Sequence, residues 1–113
     1  MRVRQAATLS PELAAESEAL GLKLARLRMA RGIKQLDAAV RAGLSRNTAY
    51  RLERGDPGLA FGQILRYLNA IAPGQTLLDL LSENDPALKA LSVRERTQRV
   101  RDMTTRELKS LDF

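Results

Sequence analysis

Arg46, Asn47, Thr48 and Arg51 follow a serine, Ser45, and form a hydrogen-bonding set suited to the edges of base pairs. An arginine fork matches guanine, an asparagine amide matches adenine, and a threonine methyl can meet thymine. Each good contact of this kind contributes about 1–3 kcal/mol of discrimination between bases. Arg46 and Asn47 are the leading base readers, and Arg51 is the next, one helical turn further along. Thr48 suits either a thymine methyl or a phosphate. Ser45 and Arg54 stand at the two ends of the same segment and suit phosphate oxygens. Tyr50 either joins them through its hydroxyl or packs inward. Gln35, with Lys34 beside it, opens the preceding segment, where the free N–H groups of a helix start attract phosphate.

Such a set works only if a rigid element presents it. The stretch QLDAAVRAGLSRNTAYRLERG, residues 35–55, reads as two short helices and a tight turn. Ala39 is small where two helices must cross closely. Gly43 ends the first helix, where the backbone needs positive φ. Ser45 caps the second. Ala39, Leu44, Ala49 and Leu52 recur on one inward face at helical spacing. The spacing therefore predicts helices over 35–42 and 46–53.

The surrounding pattern is helical throughout. Ser10 and Pro11 start a first helix, and Leu20, Leu24 and Leu27 give it a buried stripe. Gly21 is a candidate break that would leave 11–20 as a separate piece, and Gly32 is a candidate stop. Gly55-Asp56-Pro57-Gly58 predicts a loop. A helix over 61–70 carries Ile64, Leu65, Leu68 and Ile71 on one face, ended by Pro73-Gly74. Residues 75–81 form a fifth helix, whose Leu77, Leu78, Leu80 and Leu81 are dense enough to be mostly buried as core, as a dimer interface, or as both. Beyond a polar turn at 82–86, capping-box spacing at Ser92/Glu95 predicts a helix over 93–102, and Thr104/Glu107 predicts a last one over 106–111.

Composition narrows the function. The 113 residues carry a net charge of +6 and are 44% hydrophobic but only 4% aromatic. Residues 1–33 and 34–72 each hold six basic and three acidic side chains, whereas 73–113 hold seven of each. The whole positive excess thus lies with the two-helix segment, as a polyanion-facing surface requires. Cys and His are absent, which removes disulfides, the usual zinc ligands and the commonest general base. Asp79, Glu83 and Asp85 come closest to a carboxylate cluster, but they fall across a helix end and a turn. No enzyme, metal or cofactor is expected. The few aromatics disfavour base-stacking RNA recognition. No apolar run approaches a membrane span, and the basic N-terminus lacks the apolar segment of a secretory signal, so a cytoplasmic, nucleoid-associated location with no membrane partner is expected.

The run LKLARLRMARGIKQLDAAVRAGLSRNTAYRLERGDPG resembles the Cro/CI-type (Xre) helix-turn-helix domain of phage repressors and of plasmid or chromosomal antitoxins. The resemblance rests on Leu24, Arg28, Arg31 and Gly32, on Gln35 and Ala39, on Gly43-Leu44-Ser45, and on Leu52-Glu53-Arg54-Gly55. It implies an all-α, five-helix bundle of the lambda-repressor-like type over residues 17–81, preceded by an extension at 1–16 and followed by a helical extension at 82–113. It also implies that Gln35 clamps a phosphate, and that Arg28 and Glu53 form a structural ion pair fixing the angle of the recognition helix. Ala38 and Ala49 depart from the family pattern by being small, which leaves space for Met29 or Tyr50 to fill.

A domain of this kind reads double-stranded DNA through the major groove as a homodimer on an inverted repeat. The expected function is a transcriptional repressor that autoregulates its own operon as an antitoxin. The neutral extension resembles antitoxin tails that engage a toxin, and HipB-like antitoxins with HipA-like kinase partners are one match. Two alternatives stay open: a stand-alone phage-type or plasmid-type regulator, and an interaction module whose main task is to bind and neutralise a protein partner.

Overall fold

The computed structural model describes residues 4–82 and 85–111, with side chains through residue 102. Those residues form seven helices and no strand: α1 (Gln5–Thr8), α2 (Pro11–Ala30), α3 (Gln35–Ala42), α4 (Arg46–Glu53), α5 (Phe61–Ile71), α6 (Leu77–Ser82) and α7 (Pro86–Leu111). Helices α2 to α6 make the five-helix bundle.

Helix α2 starts as its sequence dictates. Ser10 Oγ accepts from the Leu13 N–H at 3.2 Å, and Pro11 occupies the first helical position. It then runs unbroken through Gly21. That glycine is not a break but a crossing point, because a Cβ there would collide with the backbone of Gly55. Gly55 itself has φ +75° and lies as closely against Ser17, whose hydroxyl donates to its carbonyl at 2.5 Å. Two glycines thus let the end of α4 sit directly on α2.

Helices α3 and α4 meet as the pattern predicts. Gly43 ends α3 at φ 69°, in the left-handed region. Ala38, Ala39, Ala42 and Ala49 are buried where α3, α4 and α5 pack together. Neither expected filler enters the space near Ala38 and Ala49, since Met29 is 55% and Tyr50 50% exposed. Small side chains let the backbones approach, and Tyr67, Leu68 and Ile71 of α5 supply the bulk of the core, with Leu24, Leu27 and Leu52. Each fully buried leucine or isoleucine contributes about 1.5–3 kcal/mol.

Helix α6 corrects one expectation. Thr76 and Asp79 cap it reciprocally, each accepting the other's backbone N–H at 3.1 Å. Only Leu80 is buried and Leu77 partly so, while Leu78 and Leu81 are 77% and 53% exposed. A six-residue helix hides one face, so the leucine run could not all turn inward.

The extension corrects another. In place of two helices starting near residues 93 and 106, α7 is a single helix of 26 residues. Its cap is Asp85, whose Oδ1 accepts from the N–H groups of Ala87 at 2.8 Å and Leu88 at 3.3 Å, with Pro86 at the first turn. No glycine or proline follows to stop it. Ser92 is an exposed mid-helix residue, and Glu95 pairs with Arg26 of α2 instead of capping anything. The side chains of Thr104 and Glu107 lie outside the described residues, as does Glu83. No helix among the described residues is long and apolar enough to cross a membrane.

Candidate nucleic-acid interface

Helix α4 presents its polar side outward. Ser45 Oγ accepts the Thr48 N–H at 3.0 Å and donates to Thr48 Oγ1 at 2.8 Å, so both hydroxyls are engaged in starting the helix. Arg46 and Asn47 are exposed on the first turn and make no side-chain hydrogen bond among the described residues. Ala49 and Leu52 are buried beneath them. Tyr50 and Arg54 continue the exposed side, with the Arg54 guanidinium 5.4 Å from the centre of the Tyr50 ring.

Arg51 is placed differently from Arg46. Its Nε donates to Asp56 Oδ2 at 2.7 Å. Asp56 also accepts the Gly58 N–H at 2.8 Å, and these two interactions, the backbone bond foremost, hold its carboxyl below the usual carboxylate range. Asp56 therefore tethers Arg51 toward the loop that follows α4.

Beneath α4 lies a network of four side chains. Glu53, in the last turn of α4, accepts from Arg28 Nε at 2.6 Å and from Arg28 Nη2 at 3.0 Å. Gln35 Nε2 donates to Glu53 Oε1 at 3.0 Å, and the Tyr67 hydroxyl donates to Glu53 Oε2. Arg28 Nη1 reaches the Ile33 carbonyl at 2.8 Å. The Glu53 side chain is 6% exposed and that of Arg28 14%. The bond to Glu53 raises the Arg28 pKa above its ordinary value despite its burial. Burial first, and the bond to Glu53 second, push the Tyr67 phenol well above its ordinary range. Glu53 thus joins a guanidinium held as a cation to a phenol held neutral.

This network fixes α4 to α2, to the start of α3 and to α5 at once. Gln35 is shared between the network and the surface: its side chain is half-buried on Glu53, while it stands at the first position of α3. Lys34, exposed, is the cap residue of α3 and gives no side-chain cap bond. The first N–H groups of α3 are thus left without a side-chain acceptor, which is the local condition for anion binding. Arg66 of α5 donates to the Gly43 carbonyl at 3.3 Å and braces the turn.

Tyr67, Asp56 and Arg66 are additions that the sequence reading missed. Tyr67 had a detectable signal: it lies on the face of Ile64, Leu68 and Ile71, and a buried tyrosine needs a partner for its hydroxyl. Asp56 and Arg66 carried no such signal, because a charged residue in a loop or on an exposed helix face is ordinary.

The candidate residues therefore separate by geometry. Arg46, Asn47, Lys34, Tyr50 and Arg54 face solvent; Ser45, Thr48 and Arg51 are engaged locally; Gln35 bridges to the interior; Arg28 and Glu53 lie under the helix. A family model described as a helix-turn-helix domain matches residues 19–81. No curated protein and no solved structure matches the chain.

Proposed function

Because the chain belongs to the helix-turn-helix domain family and carries its DNA-binding unit, we propose that it is a sequence-specific transcriptional repressor acting as a homodimer on an inverted repeat. The observation that carries this reading is the pairing of two exposed side chains, Arg46 and Asn47, unpartnered among the described residues, with a locked support beneath them. Arg46 forks onto guanine and Asn47 onto adenine in the major groove. Arg54, Tyr50, Ser45 and Lys34 hold phosphates, with Gln35 and the start of α3 clamping one more. Thr48 and Arg51 serve as secondary contacts, Arg51 after leaving Asp56. Two copies related by a two-fold axis place two recognition helices about 34–36 Å apart, one turn of duplex.

The operator nearest to hand is the DNA upstream of the chain's own gene, and the regulatory role is that of the antitoxin in a toxin–antitoxin module of Cro/CI (Xre) type. The long α7, which packs against α2, supports a second task in holding a protein partner such as a HipA-like kinase.

Footprinting on that upstream DNA tests the reading. Protection of two half-sites, lost in Arg46→Ala and Asn47→Ala at unchanged thermal stability, is the expected result. Unchanged affinity in both variants would remove it.

A further inference from the structure

A second charged surface lies away from α4, in a groove of about 460 Å³ between α2 and α7. Lys23 and Arg26 of α2 and Lys89 and Arg96 of α7 line it together with the apolar Leu88 and Val93. Glu95 is an acid beside this groove, and both its oxygens accept from Arg26, at 2.5 and 3.1 Å. Lys89 and Arg96 form no ion pair among the described residues. Val93 is 53% exposed, an apolar side chain kept in water between cations.

Helical geometry separates this groove from the nucleic-acid interface. Gly21 and Arg28 are among the α2 residues that meet the end of α4. Lys23 and Arg26 are each two residues from one of them, about 200° around the helix axis at 100° per residue. The groove therefore opens on the opposite flank of α2, and its occupation leaves α4 uncovered.

We propose that this groove is a docking site for an acidic amphipathic segment of a second protein, whose carboxylates meet Lys89 and Arg96 while an apolar side chain packs on Leu88 and Val93. Charge complementarity selects the occupant: Lys89 and Arg96 stand at the opening with no ion pair among the described residues, and Glu95 is held by Arg26. Leu88 and Val93 argue against duplex DNA, whose phosphates gain nothing from them, and the volume suits a few side chains, not a double helix. Electrostatic attraction sets the rate of encounter, and the buried apolar contact sets the residence time.

The test uses the full-length, isotopically labelled chain and three probes: a synthetic helical peptide of glutamate and leucine, its glutamine-for-glutamate counterpart, and a short DNA duplex. The expected result is that the acidic peptide shifts backbone amide signals around Lys23, Arg26 and residues 88–96, and that the glutamine peptide does not. The double variant K89E/R96E, changed only at exposed positions, binds the acidic peptide about tenfold more weakly and keeps its helical circular dichroism. In the same samples the duplex shifts signals of α4, so failure there counts against the DNA reading and not against the groove. An acidic peptide that shifts nothing, shifts α4 as strongly as the groove, or binds no better than the glutamine peptide overturns the proposal. So does a duplex that displaces the peptide and shifts the groove itself, which would make it a polyanion site.

Discussion

Arg28, in the last turn of α2, and Arg31, just past its end, hold two buried carboxylates, and the two clamps differ in what else supports them. Arg28 holds Glu53, with an amide from Gln35 and a hydroxyl from Tyr67. Arg31 holds Asp85 at 2.6 Å, with an amide from Gln75 and two backbone N–H groups at the start of α7. The first carboxylate stands in the last turn of its helix, where the macrodipole is unfavourable to negative charge; the second caps the start of its helix, where the dipole favours it. Glu53 thus relies on side chains alone, and on a cation above all. Asp85 has the backbone as well. The first clamp orients α4, and the second fixes where α7 begins.

Removing the cations exposes the difference most strongly. Arg28→Ala leaves a buried carboxylate facing only neutral donors, and the expected loss of stability is about 3–5 kcal/mol. Arg31→Ala leaves Asp85 on its helix cap. The Arg31 side chain is 32% exposed, so its loss costs about 1–1.5 kcal/mol. Urea unfolding of the two variants measures this directly. Equal losses would show that the backbone N–H groups do not support Asp85 as drawn here.

Tyr67→Phe deletes the hydroxyl and keeps the ring. Its expected cost is about 1.5–3 kcal/mol, the range for a bond to a charged acceptor. The same change loosens α4, so DNA affinity should fall although Tyr67 is fully buried and touches no surface. Stability without any change in affinity would confine Tyr67 to the core.

The two clamps were not equally legible in the sequence. Arg28 and Glu53 could be paired because the family resemblance implies it, over a run whose helix boundaries are punctuated by Gly32, Gly43, Ser45 and Gly55. Helix edges there coincide with residues that only edges favour, so α3 and α4 came out at their observed bounds. Asp85 carried no comparable mark. Ser92/Glu95 and Thr104/Glu107 have capping-box spacing, but serine and glutamate three apart also occur inside helices, and Asp85-Pro86 is the cap that acts. Gly21 shows the same limit from the other side. One glycine serves equally as a helix break or a close crossing, and the choice depends on Gly55, far away in the chain. The leucines of α6 failed for a geometric reason, since density of apolar residues says nothing about how many faces a neighbour covers.

Acid sharpens the comparison from the side of the carboxylates. Burial alone would raise the Asp85 pKa, but Arg31 and the N–H groups of Ala87 and Leu88 prevail and hold it below the usual carboxylate range. A carboxyl depressed in the folded chain contributes stability that is present above its unfolded value, near 3.9, and is lost as pH falls through the lower folded value. Asp85→Asn should therefore flatten the loss of stability below about pH 4. Its cost at neutral pH should be about 1 kcal/mol, because asparagine still caps a helix but no longer pairs with Arg31. Unfolding followed by circular dichroism between neutral and acid pH checks both. The Gln75 carbonyl oxygen, buried without a hydrogen-bond partner among the described residues, already weakens this clamp relative to that at Glu53.

The smallest effect on stability, and the most informative for function, belongs to a third arginine–carboxylate pair that is not buried. Arg51 and Asp56 are 42% and 30% exposed, so their bond contributes no more than about 0–1 kcal/mol. Asp56→Asn should leave the melting temperature nearly unchanged. What it changes is charge and freedom: one acid is removed beside α4, and Arg51 is released from the loop. If Arg51 then reaches a phosphate, the salt dependence of duplex binding should steepen by about one counterion for each protomer. If it reaches a base, affinity should rise for one sequence and little for others. An unchanged salt slope with unchanged affinity would mean that Arg51 belongs to the loop even on DNA, and that Arg46 and Asn47 carry the base reading from the first turn alone.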